Sequence, residues 1–360
     1  MTLFLSNEDI APLLDAAEVV DALDHAYRAH ALGESVCAPR LDFQGPTNAR
    51  EETYQLGVAI GVGARYGAIR IKSDMVYRHL VNGLPRKEKY CVERGSYLGL
   101  ILLFSAKNGD LVAILQDGLI QRMRVGADSG LGVRYMARKD AAVLGILGAG
   151  GMARTHLACI GSVRKLREVR IYSPTPESRE QFAAEARTQG IDALAVNRPE
   201  VVFAGADLVA ACTNAIGPVV HGQFLEPGQH VTAIGGTLDA AASAKVDRGL
   251  RFGLANGPTE IPGWHVEEEC LSFFAGGAKA TAGGVRRWAD IPPERHLSFA
   301  DLLRDPKKGR TSDTQITFSE RGNIHGVQFA AVAGLIYEKA LAAKAGTGFK
   351  PGMFLESIRN

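Results

Sequence analysis

Hydrophobic positions near the start of the chain recur with helical spacing. Between residues 6 and 32, apolar side chains such as Val19, Val20 and Leu23 fall on one face of a helix, and Gly33 ends the pattern. Ser6 stands three residues before Asp9, a spacing typical of a capping box. The sequence therefore predicts an amphipathic first helix.

The next part of the chain, residues 39–116, changes to the pattern of β-strands. Residues 69–74 (IRIKSD) alternate between apolar and polar side chains with a period of two. A longer stretch, YLGLILLFSAKNGDLVAILQ, has Asn108-Gly109 between two apolar runs, which predicts a β-hairpin. Helical spacing returns over residues 118–139.

The middle of the chain alternates short apolar segments with helical ones. A strand of buried type at residues 142–147 leads into a glycine turn and a helix, and the segments EVRIYS, ADLVAACT and HVTAIGG follow. Such alternation is typical of a parallel sheet with helical crossovers, so the sequence predicts an α/β fold with a Rossmann-type, doubly wound sheet. A last amphipathic helix is predicted over residues 327–343.

Composition and charge narrow the possible partners. The 360 residues are 46% hydrophobic and 22% charged, and 41 basic side chains nearly balance 39 acidic ones. Because no run of like charge occurs, we expect neither nucleic-acid nor membrane binding, and a small molecule is the favoured partner.

The cysteines and the first residues of the chain indicate the cellular compartment of the protein. The five cysteines form no CxxC pair, which fits a reducing compartment better than a disulfide framework, and no metal site is expected. The first residues resemble no secretory signal, and no apolar run approaches the roughly 20 residues of a membrane helix. The sequence therefore predicts a cytoplasmic protein.

The strongest motif is a glycine-rich turn of the pattern GxGxxA between a predicted strand and a predicted helix. In this pattern the first glycine permits a tight turn, the second lets the backbone approach a pyrophosphate, and the small last residue allows close packing. The helix N-terminus offers its partial positive charge to the phosphates. The sequence thus predicts a dinucleotide cofactor held by Gly148, Gly150, Gly151, Met152 and Ala153.

The end of the second strand of such a sheet distinguishes NAD from NADP, because an acidic side chain there binds the ribose 2′-hydroxyl. Here Ser173 and Thr175 end that strand, Arg179 follows in the next helix, and no acid comes before Glu177. Hydroxyls and an arginine suit a 2′-phosphate, so NADP(H) is favoured and NAD(H) is the alternative.

Three residues at later strand ends complete the expected cofactor site. They are Thr213 and Asn214 after ADLVAACT, and Gly235 in HVTAIGG. The carboxyl edge of a doubly wound sheet is where a dinucleotide binds, which favours this role. A simple polar strand end is the other interpretation of Thr213 and Asn214.

Five segments spread along the chain carry a resemblance to a known family. They are Ala38-Pro39-Arg40, MRVGA before VLGILGAGGMARTHL, HVTAIGG, GRTSDTQITF and GLIYEKALAAKAG. Together they resemble the ornithine cyclodeaminase / mu-crystallin family over nearly the whole chain. The resemblance implies a Rossmann domain at residues 126–319, inserted into an α+β substrate-binding and dimerisation domain at residues 1–125 that residues 320–360 complete. It also implies a homodimer.

The resemblance also implies an activity. Family members include cyclodeaminases of ornithine or lysine, amino-acid dehydrogenases, and reductases of imines and ketimines, all of which move a hydride between nicotinamide and an α-carbon. For this chain we expect an NAD(P)H-dependent imine or ketimine reductase or an amino-acid dehydrogenase. The alternatives are an ornithine cyclodeaminase that recycles NAD and releases ammonia, and a non-catalytic, NADP-dependent protein that binds a small carboxylate.

Basic residues match the family's substrate site. Arg40 and Arg124 correspond to its carboxylate-binding arginines, and a guanidinium fork suits that planar anion. The family's catalytic lysine falls in residues 69–74, where strand alternation puts Arg70, Lys72 and Asp74 on one face. Lys72 is favoured as general acid because burial and a cationic neighbour lower the pKa of a lysine. Arg70 then binds substrate, or takes the catalytic place itself.

Two departures from the family pattern concern catalysis. In cyclodeaminases an aspartate base follows the strand that corresponds to HVTAIGG; here either Thr237 takes its place, or a shift of two residues lets Asp239 do so. The family's aspartate near the start of the last helix is replaced around Gln328, and Asn323 and His325 just before it are candidates to line the substrate pocket. The Gly/Ala-rich residues 275–284 form a candidate lid.

Overall fold

The computed structural model describes residues 1–47, 51–81, 84–215, 217–235, 237–253, 270–275, 281–283, 290–320 and 322–358. Most of the candidate lid at residues 275–284 lies outside these ranges. The elements up to residue 136 are β1 (Thr2–Leu5), α1 (Asn7–Ile10), α2 (Ala16–Ala31), β2 (Val36–Cys37), β3 (Arg40–Pro46), β4 (Glu52–Val62), β5 (Tyr66–Val81), β6 (Leu84–Tyr90), β7 (Leu98–Ser105), β8 (Leu111–Gln116) and α3 (Gly118–Met136).

The remaining elements follow in chain order. They are β9 (Val143–Leu147), α4 (Gly151–Val163), β10 (Glu168–Tyr172), α5 (Pro176–Thr188), β11 (Ala193–Val196), β12 (Leu208–Cys212), β13 (Pro218–Val220), β14 (His230–Gly235), β15 (Thr237–Leu238), α6 (Ala240–Lys245), β16 (Arg248–Arg251), β17 (Cys270–Phe274), β18 (Thr281–Gly283), β19 (His296–Ser298), α7 (Phe299–Arg304), β20 (Thr317–Glu320), α8 (His325–Ala343) and β21 (Thr347–Phe349).

The N-terminal segment holds two helices rather than the single helix that the sequence predicts over residues 6–32. The capping box of Ser6 and Asp9 is present and starts α1. A short 3-10 turn over Ala11–Leu13 follows, where Pro12 cannot donate a backbone hydrogen bond. The Asp15 side chain then accepts a hydrogen bond from the backbone N–H of Glu18 and caps α2 as a separate helix.

A large, mostly antiparallel sheet takes its strands mainly from residues 2–116. Its main path runs β18-β17-β3-β4-β5-β7-β8-β1-β21. The predicted hairpin around Asn108-Gly109 joins β7 to β8, and Gly109 has a φ of +77°, which a residue without a side chain adopts easily. Helix α8 packs on this sheet, α2 packs against α8 and α3, and all of them share one hydrophobic core with the sheet.

The second sheet is parallel throughout its described pairs. Its order is β11-β10-β9-β12-β14-β20-β16-β19, and apolar clusters cover both of its faces. The strand order reverses beside β9, as in a doubly wound Rossmann sheet, so the predicted fold class is confirmed. The glycine turn follows β9, which places it at this switch point.

Helix α3 connects the two sheets. It runs without a break from Gly118 to Met136, so the domain boundary expected at residue 125 falls inside a continuous helix. Strands β17 and β18 belong to the first sheet beside β3, although their residues lie in the range expected for the Rossmann domain. The two sheets are therefore joined by one continuous helix.

Candidate active site

The glycine turn has the backbone that a phosphate-binding turn requires. Gly148 has a φ of +121°, and a Cβ atom there would lie 2.3 Å from the carbonyl oxygen of Cys212 on the neighbouring strand. A Cβ atom on Gly150 would meet no atom within 4 Å, so this part of the turn is open. Ala153 is fully buried against the sheet. The cradle thus fits a dinucleotide pyrophosphate.

A cleft of about 630 Å³ opens in front of this turn, and we call it the glycine-turn cleft. It lies along the carboxyl edge of the second sheet, where a dinucleotide binds in this fold. Eight of the predicted cofactor residues line it: Gly148, Gly150, Gly151, Met152, Ser173, Thr175, Thr213 and Asn214. Gly235 lies at the same edge, paired with Cys212, whereas Ala153 packs beneath the turn.

The end of the cleft beside β10 carries hydroxyl groups. Ser173 is buried, and its Oγ accepts a hydrogen bond of 3.3 Å from the backbone N–H of Thr175. Arg179 lies behind them and donates from Nη1 to the carbonyl oxygen of Ser173 at 2.9 Å. Arg179 therefore supports the strand end, while Thr175 and Ser178 line the cleft.

A second cleft, of about 360 Å³, lies at the junction of β5, β6 and α3, and we call it the lysine cleft. Strand alternation correctly places Arg70, Lys72 and Asp74 together on its wall. Met152, from the first turn of α4, lines this cleft and the glycine-turn cleft alike. The other lining residues are Lys89, Gly95, Ser96, Tyr97, Gly118, Gln121 and Arg122.

Lys72 lies almost buried between two carboxylates. Its Nζ is 3.5 Å from Oδ1 of Asp42 on β3 and 3.6 Å from Oδ2 of Asp74, and only 6% of the residue is exposed. Burial, and next the positive charge of Lys89, lower the pKa of Lys72 to about 8, although both aspartates act in the opposite direction. A lysine with this pKa exchanges protons near neutral pH.

Arg70 is held by a buried carboxylate. Its Nε donates to Oδ2 of Asp117 at 2.6 Å, and Asp117 is fully buried. A Cβ atom on Gly99 would lie 2.1 Å from Asp117 Oδ1, so a glycine on β7 makes room for this carboxylate. The ion pair fixes Arg70 on the cleft wall.

Arg124 belongs to a buried polar network at the back of the site. Its Nη1 donates to Oε1 of Gln328 at 2.7 Å, and its Nη2 donates to Oε1 of Gln121 at 2.9 Å. Gln328 in turn donates to Asp128 at 2.8 Å, and Asp128 accepts from the hydroxyl of Tyr27 at 2.7 Å. Helices α2, α3 and α8 together therefore orient this guanidinium, and Gln121 connects it to the lysine cleft.

Two other predicted substrate residues lie differently. Arg40 reaches the site through Asp42, whose Oδ2 accepts from Arg40 Nη2 at 3.0 Å, so Arg40 holds one of the carboxylates beside Lys72. His325 is buried at the first position of α8. It is not among the residues that line the lysine cleft.

Asp239 has a structural task in the glycine-turn region. Its Oδ1 accepts hydrogen bonds from the backbone N–H groups of Ala242 at 2.7 Å and Gly222 at 3.0 Å, and its Oδ2 lies 3.0 Å from Nδ1 of His221. These contacts cap α6 and lower the pKa of the Asp239 carboxyl, against the effect of burial. It is not among the residues that line the lysine cleft, whereas His221 lines the glycine-turn cleft.

Sequence reasoning missed several residues that the fold brings to Lys72. Asp42 stands two positions after Arg40 on β3, so strand alternation alone places both on one face. Lys89, Tyr97 and Arg122 had no such signal, because their strands, loop and helix approach Lys72 only in the folded sheet. Burial and the charge of Asp117 raise the pKa of Tyr97.

The fold and the site together define a class. A doubly wound parallel sheet with a glycine turn at its switch point characterises a dinucleotide-binding α/β protein, here with a buried lysine in the adjoining cleft. The sequence model of the ornithine cyclodeaminase/mu-crystallin family matches residues 2–251. The chain belongs to this family, as the resemblance implied.

The chain is similar to several known proteins, some of them over nearly its whole length. The chain is 25% identical to an alanine dehydrogenase of Archaeoglobus fulgidus, over 97% of this chain and 98% of that one. It is 30% identical to the ketimine reductase mu-crystallin of Rattus norvegicus, over 50% of this chain and 54% of that one. The solved Δ1-pyrroline-2-carboxylate reductase of Thermococcus litoralis, in complex with NADH and L-proline, matches the fold with a TM-score of 0.73 at 24% identity, over 97% and 100% of the two chains.

The described ranges also bear on membrane spans and metal sites. None of the helices that the structure describes is both long and apolar enough to cross a membrane. Over the same ranges, no cluster of three or more His, Cys, Asp or Glu side chains has the arrangement of a metal site.

Proposed function

We propose that this chain is an NAD(P)H-dependent oxidoreductase that reduces the imine of a small amino or imino acid, or oxidises the corresponding amino acid, at the α-carbon. The observation that carries the proposal is the position of Met152. Because this residue lines both clefts, the lysine cleft adjoins the glycine-turn cleft. The names of the relatives, an alanine dehydrogenase and a ketimine reductase, agree with this chemistry.

The residues of the lysine cleft have complementary roles in such a reaction. A bound nicotinamide cofactor would supply or accept the hydride. Arg70 on the cleft wall binds the substrate carboxylate. Arg124 does not line the cleft; it is 3% exposed, lies behind Gln121 and adds positive charge there. The Lys72 ammonium donates a proton to the substrate nitrogen or to a water beside it. Asp42 and Asp74 hold Lys72 in position.

The setting of Asp239 favours this function over ornithine cyclodeamination. Cyclodeamination needs a base beside the substrate, whereas Asp239 accepts two backbone hydrogen bonds and contacts His221. A carboxylate with a lowered pKa and three partners is a weak base. Reduction of a preformed imine needs no such base: besides the hydride that a bound nicotinamide would supply, it needs only the proton that Lys72 carries.

We further propose that NADP(H) is preferred over NAD(H). Ser173, Thr175 and Ser178 line the cleft beside β10, and none of the described cleft residues there is acidic. A carboxylate would repel a 2′-phosphate, whereas hydroxyl groups donate hydrogen bonds to it. Arg179 adds positive charge behind them.

Cofactor consumption by the purified protein tests both proposals. NADPH and NADH are offered side by side with cyclic imino acids, and with pyruvate plus ammonium. We expect faster loss of NADPH with at least one of these substrates. No loss of either cofactor with any of them, together with proline and ammonia formed from ornithine and NAD, would replace the proposal by the cyclodeaminase reading.

The homodimer and the cytoplasmic location stay predictions. Light scattering of the purified protein measures its mass in solution, and a mass of one chain would contradict the homodimer. Fractionation of the source cells tests the location.

A further inference from the structure

Arg122 occupies a distinctive place between the two clefts. It lines the lysine cleft, and its guanidinium packs against the first residue of α4: a Cβ atom on Gly151 would lie 3.2 Å from Arg122 Nη1 and 3.4 Å from its Cζ. The side chain is exposed, and none of the carboxylates that the structure describes forms an ion pair with it. Within the described part of the chain, this cation therefore lies beside the glycine turn without a carboxylate partner.

The packing of α3 against α4 holds Arg122 there. Arg122, Gly126 and Gly130 are spaced by four and share one face of α3. A Cβ atom on Gly126 would lie 2.6 Å from the carbonyl oxygen of Thr155, and one on Gly130 would lie 2.9 Å from that of Cys159. The two glycines let the helices touch.

These contacts also give the direction of the two helices. Gly126 of α3 faces Thr155 of α4, and Gly130, one turn further along α3, faces Cys159, one turn further along α4. The two helices are therefore parallel, and their N-termini lie side by side. The hydroxyl of Thr155 reinforces this arrangement by donating to the carbonyl oxygen of Arg122 at 3.0 Å. Both helix N-termini therefore carry partial positive charge at the same end of the site, where Arg122 adds a full one.

We propose that Arg122 binds the pyrophosphate of the dinucleotide, and so joins the cofactor to the helix that carries Arg124. The proposal rests on the proposed function, because it assumes that a dinucleotide lies on the glycine turn. A guanidinium is suited to this task because its planar fork donates two hydrogen bonds to a phosphate. Cofactor binding then fixes the first turns of α3, where Gln121 lines the lysine cleft and accepts a hydrogen bond from Arg124.

Equilibrium binding to the intact protein tests the proposal without relying on turnover. Dissociation constants are measured for NADH, NADPH and ADP-ribose, which carries the pyrophosphate but no nicotinamide. We expect Arg122→Gln to weaken all three by at least about tenfold, the usual scale for a lost charged hydrogen bond. Arg122→Lys keeps the charge but not the planar fork, so its dissociation constants should fall between those of the unsubstituted protein and those of Arg122→Gln.

Arg65→Gln is the matched control. Arg65 lies on the turn before β5, pairs with Glu338 at 2.6 Å and lines neither cleft, so this variant loses the same charge at a distant place. Its dissociation constants should equal those of the unsubstituted protein. A thermal unfolding curve for each variant verifies the fold, and the lysine variant keeps the test valid if the glutamine variant is unstable.

Three results would overturn the proposal, and they are distinguishable. If the unsubstituted protein binds ADP-ribose and Arg122→Gln binds it equally well, Arg122 does not hold the pyrophosphate. A change confined to the KM of the substrate would lead to the same conclusion, because Arg122 would then contact the substrate. If the unsubstituted protein binds none of the three ligands, the proposed function fails as well.

Discussion

Gly57 lies between Asp42 and Lys72 on three adjacent antiparallel strands, and its missing side chain leaves the space through which they meet. In the register of the sheet, Gly57 on β4 pairs with Asp42 on β3 and with Lys72 on β5. A Cβ atom on Gly57 would lie 2.2 Å from Lys72 Cε and 2.7 Å from Asp42 Oδ1. The contact between the lysine and its carboxylate therefore depends on a glycine at this position.

The substitution Gly57→Ala should displace Lys72 and impair both catalysis and folding. We expect a fall in kcat of about tenfold to a hundredfold, since a misplacement of about 1 Å costs that much. The free energy of unfolding should fall by about 1 to 3 kcal/mol, as for other overpacked sites. Steady-state kinetics and denaturant unfolding measure the two effects.

Gly45→Ala serves as the control for Gly57→Ala. Gly45 lies on β3, and a Cβ atom there would meet no atom within 4 Å. This variant should keep its activity. Equal kinetics for Gly57→Ala and Gly45→Ala would show that the contact between Lys72 and Asp42 does not matter for the reaction.

Replacement of Lys72 tests its role as general acid. Lys72→Met removes the proton donor while keeping the length of the side chain, and kcat should fall by about a hundredfold to ten-thousandfold. Lys72→Arg keeps the charge but holds its proton too tightly, so it should restore little activity. Unchanged turnover by a folded Lys72→Met protein would pass the role to another group, of which Arg70 is the first to examine.

The pH dependence of the reaction follows from the lowered pKa of Lys72, which is about 8. Imine reduction requires the protonated lysine, so kcat/KM should be level below this value and fall about tenfold per pH unit above it. In the oxidative direction the neutral lysine accepts the proton, so the rate should rise up to pH 8 and then level. A reductive profile without a falling limb in this region would contradict the assignment.

A substitution near Lys72 should shift the pH at which kcat/KM begins to fall. The positive charge of Lys89 lowers the pKa of Lys72, and Lys89 also pairs with Asp74 at 3.5 Å. Lys89→Met removes the repulsion and leaves Asp74 to Lys72 alone, so both effects raise the pKa and move the limb to higher pH. Lys107→Met, which removes an exposed lysine on the turn between β7 and β8, should leave the profile unchanged.

Much of the fold follows from local patterns in the sequence. The doubly wound sheet and the hairpin at Asn108-Gly109 were predictable because period-two alternation and turn residues act over a few positions. The break between α1 and α2 was missed, because the periodic pattern continued through Pro12 and Asp15. The place of β17 in the first sheet was unpredictable, since its pairing with β3 spans more than 200 residues, and β18 joins the sheet only through β17.

Part of the candidate site could likewise be predicted from the sequence, and part could not. Arg70, Lys72 and Asp74 follow from one strand, and the glycine turn follows from one motif. Asp117 and Lys89 give no sequence signal of their own, because their importance comes from burial beside a charge on another strand. The pKa and the orientation of a charged side chain depend on the residues around it, and most of those residues here are distant in the chain.

The choice between the two dinucleotides depends on the charge at the end of β10. Thr175 is exposed, lines the glycine-turn cleft and precedes α5 as its N-cap, where an aspartate is also a good cap, so Thr175→Asp should not destabilise the fold. Its carboxylate should weaken NADPH binding by about tenfold or more through repulsion of the 2′-phosphate, and change NADH binding little. Thr188→Asp adds the same charge at the far end of the same helix, away from the cleft, and should change the binding of neither NADPH nor NADH. Equal losses for NADPH and NADH in Thr175→Asp would place the 2′-phosphate elsewhere and remove the argument for NADP(H).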